Sequence, residues 1–339
     1  MRNEAARLGR CLDALGAQAG GFEVVLLLNN CEDDSRAVAE AAKPRLPYRL
    51  HLVEARLEGG RAHVGWARRL AMDAAADLVG PSGIILTTDA DSRPVPGWLA
   101  ANRAAVAGGA DAVAGIIVPD PAERRGLHPI ARQRLSGQRR YERLMERLAS
   151  LLDPEEHDPW PRHGYHCGAS MAVRLGVYRR VGGLPPEPSS EDRAFFAAVL
   201  RQDGRVRHCP KARVVTSCRL DGRAAGGMAD TLLRWSEARE GEAIPAARSV
   251  ARAARLRAAL RRAWRAGSPA AFPALPPAAL ADVLQAPTFG LALERAARRL
   301  AALTPRLVPA ARLAEEIAAG LRLAAGLESG APSARRDRR

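Results

Sequence analysis

Two aspartates, Asp89 and Asp91, follow a short apolar run, GIILTT, at residues 83–88. Carboxylates two positions apart on a turn are able to hold a hard divalent cation together with a polar ligand group. A helix N-cap or an Asx turn is the alternative that this spacing leaves open. The run before the pair is typical of a strand buried on both faces, so we expect the pair at the carboxyl edge of a parallel sheet, where ligands bind.

A second acidic pair, Glu191 and Asp192, follows the Pro/Ser-rich segment LPPEPSS at 184–190. Acidic residues are common at the start of a helix because they complement the helix dipole, which is the structural interpretation of this pair. The chemical interpretation is a general base that removes a proton from an acceptor hydroxyl.

Basic residues and histidines provide weaker candidates. The segment RAHVGWARR at 61–69 places cationic groups near a predicted helix start, where they are able to meet a phosphate or simply face solvent. His163, His166 and His208 do not have the spacing of a zinc site, and structural hydrogen bonding is the alternative for each.

Strands that alternate with helices must position these groups. Apolar or alternating runs predict strands at 23–28, 48–53, 83–88, 112–118 and 205–217. Helical spacing predicts helices at 3–17, 35–42, 62–77, 96–107, 133–152 and 191–200, with Asn3 as the cap of the first. This alternation is typical of βαβ units and therefore predicts an α/β protein with a parallel sheet.

Five segments, in order over about residues 2–217, resemble the family 2 glycosyltransferases of the GT-A fold. They are Arg2-Asn3-Glu4, LLLNNCEDDS at 26–35, GWARRLAMDAA at 65–75, ILTTDADSRPVPGWL at 85–99, and GASMAVRLGVYRRVGGLPP at 168–186 followed by SSEDRAFF. The resemblance implies a GT-A nucleotide-sugar-binding fold, with a mostly parallel sheet flanked by helices. We expect this domain at 1–235, an Ala/Arg-rich helical extension at 236–330 and a disordered tail at 331–339.

The same resemblance implies metal-dependent transfer of a sugar from a nucleotide-diphosphate sugar to an acceptor hydroxyl, with inversion and without processivity. By similarity, Asp192 is the base with Glu191 beside it, and Asp91, Asp89 and His208 hold Mn²⁺ or Mg²⁺. The implied donor-binding residues are Asn3, Glu4, Asn29, Asp33, Arg68 and Asp89. The acceptor is a small molecule, a lipid or a glycan.

The chain departs from the family pattern at four places. The first strand of the family would end at Met1, so we expect it to lie upstream or to be truncated. Leu28 stands where the family has a base-contacting Asp, which leaves Asn29 and Asp33 as the nearest polar groups. A late His of the family aligns near Ser217, with His208 as a nearby substitute. The segment TLLRW at 231–235 is only half of the processive Q-x-x-R-W motif.

The charge balance raises other classes of protein. The 339 residues carry a net charge of +15, from 52 Lys+Arg against 37 Asp+Glu, with only two lysines. An Arg-rich, Ala-rich composition is also expected from a GC-rich genome, and the scarcity of aromatic residues disfavours a nucleic-acid-binding protein. A nucleotidyltransferase-like enzyme and a degenerate, inactive glycosyltransferase-like protein remain as alternatives. Five cysteines without a CxxC, and no signal peptide, predict a cytoplasmic protein.

Much of the positive charge belongs to the C-terminal third. Residues 236–339 contain 18 Arg and nine acidic residues. One face of the predicted helix near 250–264 is apolar, and arginines lie opposite. Such a helix packs its apolar face on the protein, or it lies on an anionic membrane. The second alternative would make the protein peripheral at the inner membrane.

Overall fold

Buried apolar runs form most of the strands in the computed structural model, which describes residues 1–222, 227–237, 243–268 and 272–329. The strands are β1 (Glu23–Asn29), β2 (Arg49–Ala55), β3 (Ile84–Thr87), β4 (Ser92–Pro94), β5 (Ala112–Pro119), β6 (Met171–Arg174), β7 (Val206–Thr216), β8 (Ile244–Pro245) and β9 (Leu307–Val308). Each strand predicted from the sequence is present. The three-residue strand β4 is too short and too polar to be recognised by its pattern.

The helices follow the apolar periodicity. The helices before the C-terminal third are α1 (Ala5–Gly16), α2 (Ser35–Ala42), α3 (Val64–Leu78), α4 (Trp98–Ala107), α5 (Pro121–Gly126), α6 (Pro129–Leu152), α7 (Leu175–Arg180), α8 (Glu191–Arg201) and α9 (Met228–Glu237). Those within the C-terminal third are α10 (Ala247–Ala266), α11 (Pro277–Leu284), α12 (Phe289–Ala297) and α13 (Leu313–Glu328). The expected cap of α1 is wrong. Asn3 has a left-handed φ of 53°, and its side chain accepts from the Glu32 amide at 2.8 Å instead.

The sheets combine parallel and antiparallel pairs. Strands β1 and β2 form a parallel two-stranded sheet, and the larger sheet has the order β3-β6-β5-β7-β4. In the larger sheet only β5 and β7 pair in parallel. The α/β class is therefore confirmed, whereas the larger sheet is mixed rather than mostly parallel. The reason is that β6 returns in the opposite direction and inserts between β3 and β5.

The chain divides into two compact units. The first comprises Met1–Arg132, Tyr165–Leu200 and Gly204–Ser236, and the second comprises Gln133–Gly164, Arg201–Asp203 and the chain from Glu237 onward. One boundary between the two units lies near residue 236. Residues 133–164 group with the C-terminal unit instead of the N-terminal one. The predicted tail at 331–339 lies outside the described residues.

Alternating side chains of the central strands supply two separate cores in the first unit. Val113 and Ala172 pack with α1, α2 and α4, whereas their neighbours Ala112 and Val173 pack with α3 and α8. Successive strand residues point to opposite faces of a sheet, so helices cover both faces of the larger sheet.

At the start of the chain, Met1 is bonded along β1. Its amino group donates to the carbonyl of Leu27 at 2.7 Å, and its carbonyl accepts from the Asn29 amide at 2.8 Å. These two bonds continue the ladder on the edge of β1 that faces away from β2.

Helix packing forms the core of the second unit. Tyr141 and Leu148 of α6 are buried with Ala247 of α10 and Ala324 of α13. A second cluster joins α10 to α11 and α12. None of the helices in the described ranges combines the length and the apolar character of a membrane span.

Candidate active site

The Asp89–Asp91 turn lies between β3 and β4, at the carboxyl end of β3. The carbonyl of Asp89 accepts from the Ser92 amide at 2.9 Å, which closes the turn. The Ser92 hydroxyl is 2.8 Å from the hydroxyl of Thr216, at the end of β7, and both groups are buried. The two strand ends therefore fix the position of both carboxylates.

Arg68 of α3 connects this turn to two other segments. Its guanidinium donates to Asp89 Oδ1 at 2.9 Å, to Glu191 Oε1 at 2.9 Å and to the carbonyl of Gly168 at 2.8 Å. Only 11% of the side chain is exposed. Burial alone lowers the pKa of Arg68, but Asp89 and Glu191 raise that pKa above its ordinary value, so the guanidinium is charged.

Gly168 brings the second acidic pair to the same place. While its carbonyl accepts from Arg68, its amide donates to Asp192 Oδ2 at 2.8 Å. A Cβ at this position would lie 2.8 Å from Arg68 Nε and closer still to Cζ. A side chain here would have to displace the guanidinium, which packs directly against the backbone.

The two acidic residues at the start of α8 have different environments. Glu191 is 5% exposed and is committed to its ion pair with Arg68. Asp192 is half-buried, and both of its oxygens accept from backbone amides, those of Gly168 and Arg193. Each carboxylate oxygen has two lone pairs, so Asp192 keeps the capacity to accept a further proton donor.

Arg219, which follows β7, was not among the predicted site residues. It forms a two-pronged pair with Glu4, with distances of 2.8 and 2.5 Å, and lies 3.2 Å from Asp91 Oδ2. The available signal was its position, three residues after a buried strand that ends at this edge of the sheet. Its partners are far away in the sequence, so no local pattern indicates the contacts.

Negative charge exceeds positive charge among these paired groups. Four carboxylates, those of Glu4, Asp89, Asp91 and Glu191, share the two guanidiniums of Arg68 and Arg219. Burial, followed by the charge of Asp89, raises the pKa of Asp91 to about 6, against the opposing effect of Arg219.

The four carboxylates and two guanidiniums thus differ by two charges, and the positive charge of Arg7 also acts on Asp91. No group of three His, Cys, Asp or Glu side chains that could hold a metal occurs in the described part of the chain. Mg²⁺ typically uses one or two carboxylates together with substrate phosphates, so the residues fit a cation that also binds a diphosphate.

Two thiols near the carboxylates remain protonated. Burial, followed by the charge of Asp91, raises the pKa of Cys11 to about 12, and burial followed by Asp192 does the same for Cys167. A protonated thiol is a weak nucleophile, so the carboxylates are the groups suited to proton transfer here.

Two of the predicted donor-binding residues, Asn29 and Asp33, lie near the end of β1. Asp33 accepts from the amides of Ala5 and Ser35 at 3.0 Å each, so it holds the start of α1 and of α2. Asn29 is 8% exposed, and its side-chain oxygen has no hydrogen-bond partner among the residues that the structure describes. Of the two, Asn29 retains an acceptor for a ligand.

His208 is not brought to the aspartates. It pairs with Ala114 along β5, whereas Thr216, beside the Asp89–Asp91 turn, pairs with Pro119. Five residues of strand separate these positions by about 16 Å. The ring nitrogen of His208 instead lies 3.1 Å from that of His166, and both rings stack.

The first part of the sequence matches a known protein family. The family model described as "Glycosyl transferase family 2" matches residues 1–163. No curated protein matches the chain.

Solved glycosyltransferase structures are similar at low identity. The mannosyltransferase from Pyrobaculum calidifontis, in complex with GDP-Man and Mn²⁺, is 19% identical with a TM-score of 0.47, covering 98% of this chain and 84% of its own. TarS from S. aureus is 15% identical with a TM-score of 0.45, covering 100% and 55%.

Glucosyl-3-phosphoglycerate synthase from Mycobacterium tuberculosis, in complex with phosphoglyceric acid, is 15% identical with a TM-score of 0.43, covering 72% and 81%. Assignment to a family depends on the family model and on the chain's own α/β topology. Residues 1–163, just under half of the chain, match the model of glycosyltransferase family 2.

Proposed function

We propose that the protein transfers a sugar from a nucleoside-diphosphate sugar to an acceptor hydroxyl at the carboxyl end of β3. The observation that supports this is the network around Arg68. Its guanidinium joins Asp89 to Glu191 and to Gly168, and the amide of Gly168 holds Asp192. The D-x-D turn and the E-D pair, which a transfer reaction must bring together, thus share one set of hydrogen bonds.

The two acidic residues at the start of α8 have different roles in the proposed reaction. Asp192 takes the proton of the acceptor hydroxyl while the acceptor oxygen forms a bond to the anomeric carbon. The bond between that carbon and the diphosphate oxygen breaks, and the nucleoside diphosphate leaves with the electron pair. Glu191 positions Arg68 through its ion pair. Attack opposite to the leaving group inverts the anomeric centre, and a single base suffices for that course.

Asp91, with Asp89 beside it, is the residue that would hold Mg²⁺ or Mn²⁺. When bound, the cation neutralises the negative charge that develops on the leaving diphosphate. The charge excess of the paired groups supports this assignment, and the diphosphate would complete the coordination.

Asn29 is proposed to contact the nucleobase. A buried amide oxygen without a partner in the described residues costs free energy, which a ring N–H of the base would recover. Asn3, Glu4 and Asp33 shape the surrounding loops through backbone and ion-pair contacts. The acceptor class, whether a small molecule, a lipid or a glycan, is set by surfaces beyond this network.

A donor screen by thermal unfolding tests this function. UDP- and GDP-sugars are added with Mn²⁺, and a donor at about 100 times its Kd stabilises the protein by about 2.7 kcal/mol, which raises the Tm by roughly 5–10 °C. Asp91→Asn should abolish the shift, whereas Asp13→Asn, an exposed carboxylate on α1, should preserve it. The absence of a shift with every donor would contradict the proposal and favour an inactive, glycosyltransferase-like protein.

We further propose that α10 contacts an anionic membrane surface. The inner side of the helix is engaged within its own unit, where Arg257 and Arg261 bind Asp153. Five exposed arginines span about 26 Å along the outer side of α10. Within the described ranges, none of them forms an ion pair with an acidic side chain. These are Arg248, Arg252, Arg255, Arg262 and Arg265. Such a stripe attracts anionic headgroups by an amount that salt screens.

Sedimentation with vesicles tests this contact. The protein should sediment with vesicles that contain anionic lipid at low salt, and much less with neutral vesicles or at 0.5 M salt. Replacing Arg248, Arg252 and Arg255 with Gln should reduce the bound fraction severalfold. The control variant replaces three exposed arginines of the first unit, Arg36, Arg45 and Arg56, with Gln. It loses the same positive charge, and its bound fraction should change little. Equal losses in both triple variants would contradict a specific role for α10.

A further inference from the structure

Arg219 is a fixed positive charge beside Asp91. Its guanidinium donates to both oxygens of Glu4, and 11% of its side chain is exposed. Glu4 is itself held, since its amide donates to the buried hydroxyl of Ser35 and its carbonyl accepts from the first turn of α1. A two-pronged pair between buried partners holds the guanidinium in one orientation. Arg219 therefore does not leave Asp91 without breaking its bonds to Glu4.

The two oxygens of Asp91 have unequal surroundings. Oδ2 lies 3.2 Å from the Arg219 guanidinium, whereas Oδ1 receives a long contact of 3.4 Å from the Ser92 hydroxyl. That hydroxyl has a better partner in Thr216, at 2.8 Å. Asp91 would therefore hold a cation while its other oxygen stays close to the Arg219 guanidinium.

We propose that Arg219 is a built-in cation that competes with the divalent metal for Asp91, so that the metal binds tightly only together with the donor diphosphate. This inference rests on the proposed function, because it assumes that Asp89 and Asp91 hold a cation that binds the donor diphosphate.

Charge explains the coupling. Two cations around one carboxylate repel each other, which weakens binding of the metal alone. A diphosphate brings negative charge and oxygen ligands, so both cations then face the leaving group. By linkage, the factor by which the diphosphate tightens metal binding equals the factor by which the metal tightens diphosphate binding. Arg219 thereby makes the binding of donor and metal mutually dependent.

Binding of Mn²⁺ to the full chain, followed by the electron paramagnetic resonance signal of the free ion, tests this without any turnover. The wild-type protein should bind Mn²⁺ weakly alone and at least tenfold more tightly with UDP or GDP, tested separately. Arg219→Gln should tighten Mn²⁺ binding without nucleotide by about tenfold or more, and should reduce the gain from nucleotide. Arg219→Lys, which keeps the charge without the two-pronged geometry, should fall between these values.

Two further variants distinguish competition from a general change in charge. Glu4→Gln removes the two-pronged carboxylate partner of Arg219 and leaves it to Asp91, at 3.2 Å, and to the charge of Asp221, so Mn²⁺ binding should weaken. Arg93→Gln removes one positive charge near the same turn, but Arg93 pairs with Asp120, so the Kd for Mn²⁺ should change less than threefold. Glu4→Gln and Arg219→Lys keep the test informative if Arg219→Gln fails to fold.

Two results would overturn the inference: an unchanged Mn²⁺ affinity in the Arg219 variants, or equal effects of the Arg219 and Arg93 replacements. Both leave the proposed function intact, provided that Asp91→Asn abolishes Mn²⁺ binding in the presence of nucleotide. The absence of Mn²⁺ binding in every protein, with either nucleotide, would instead contradict the metal-dependent function itself.

Discussion

Replacing Arg68 with Met should strongly destabilise the folded protein. The variant keeps a side chain of similar length but removes the charge that Asp89 and Glu191 share. Glu191 is 5% exposed, so its carboxylate would remain buried without a cation. Removing one partner of a buried ion pair typically costs about 3–5 kcal/mol, because the remaining charge is uncompensated. The half-exposed Asp89 relaxes towards water, so the expected loss lies near the lower value.

Urea denaturation at pH 7 measures this loss as a change in the free energy of unfolding. Arg56→Met is the matched control, since Arg56 and Glu58 form an ion pair with side chains that are 85% and 75% exposed. An exposed pair contributes little, so the control should change stability by about 0.5 kcal/mol or less.

A double-mutant cycle separates the buried charge from the lost packing. Glu191→Gln in the Arg68→Met background removes the unpaired charge and should restore part of the stability, with a coupling of about 1 kcal/mol or more. A loss for Arg68→Met as small as that of the control, or losses that simply add in the double variant, would refute the role assigned to Arg68.

Two other predictions concern the same network. Gly168→Ala places a Cβ 2.8 Å from Arg68 Nε and should lower the free energy of unfolding by about 1–3 kcal/mol. The control is Gly176→Ala on α7, where the Cβ meets no atom within 4 Å and stability should not fall. Urea denaturation compares the two variants. The pKa of Asp91 is raised from 3.8 to about 6, so its ionisation costs stability as the pH rises through this window. Without metal, Asp91→Asn should therefore stabilise the protein by up to about 3 kcal/mol at pH 7.5 and by little below pH 4, as measured by unfolding at both pH values.

The sequence predicts the regular elements of the first unit because burial on both faces produces continuous apolar runs. Residues 23–28 and 112–118 are such runs, and both form strands within about one residue of the predicted bounds. The placement of Asp89 and Asp91 follows directly, since a strand end fixes the turn after it.

Contacts between segments that are far apart in the sequence leave no local pattern from which they could be predicted. The antiparallel insertion of β6, the contact between Arg219 and Glu4, and the grouping of residues 133–164 with the C-terminal unit all depend on packing between distant segments. Tyr141, for example, donates to the carbonyl of Pro245, more than 100 residues away. His208 has a suitable side chain, but its register on β7 places it far from the aspartates.

The release of nucleoside diphosphate from the stabilising donor tests the central claim most directly, because hydrolysis to water requires no knowledge of the acceptor. The measurement compares the wild-type protein with Asp192→Asn at saturating donor and Mn²⁺. We predict a rate at least 100-fold lower for Asp192→Asn, with thermal protection by the donor unchanged, as expected for the loss of a general base. A release rate within threefold of the wild type would contradict the assignment of Asp192 and of the site built around Arg68.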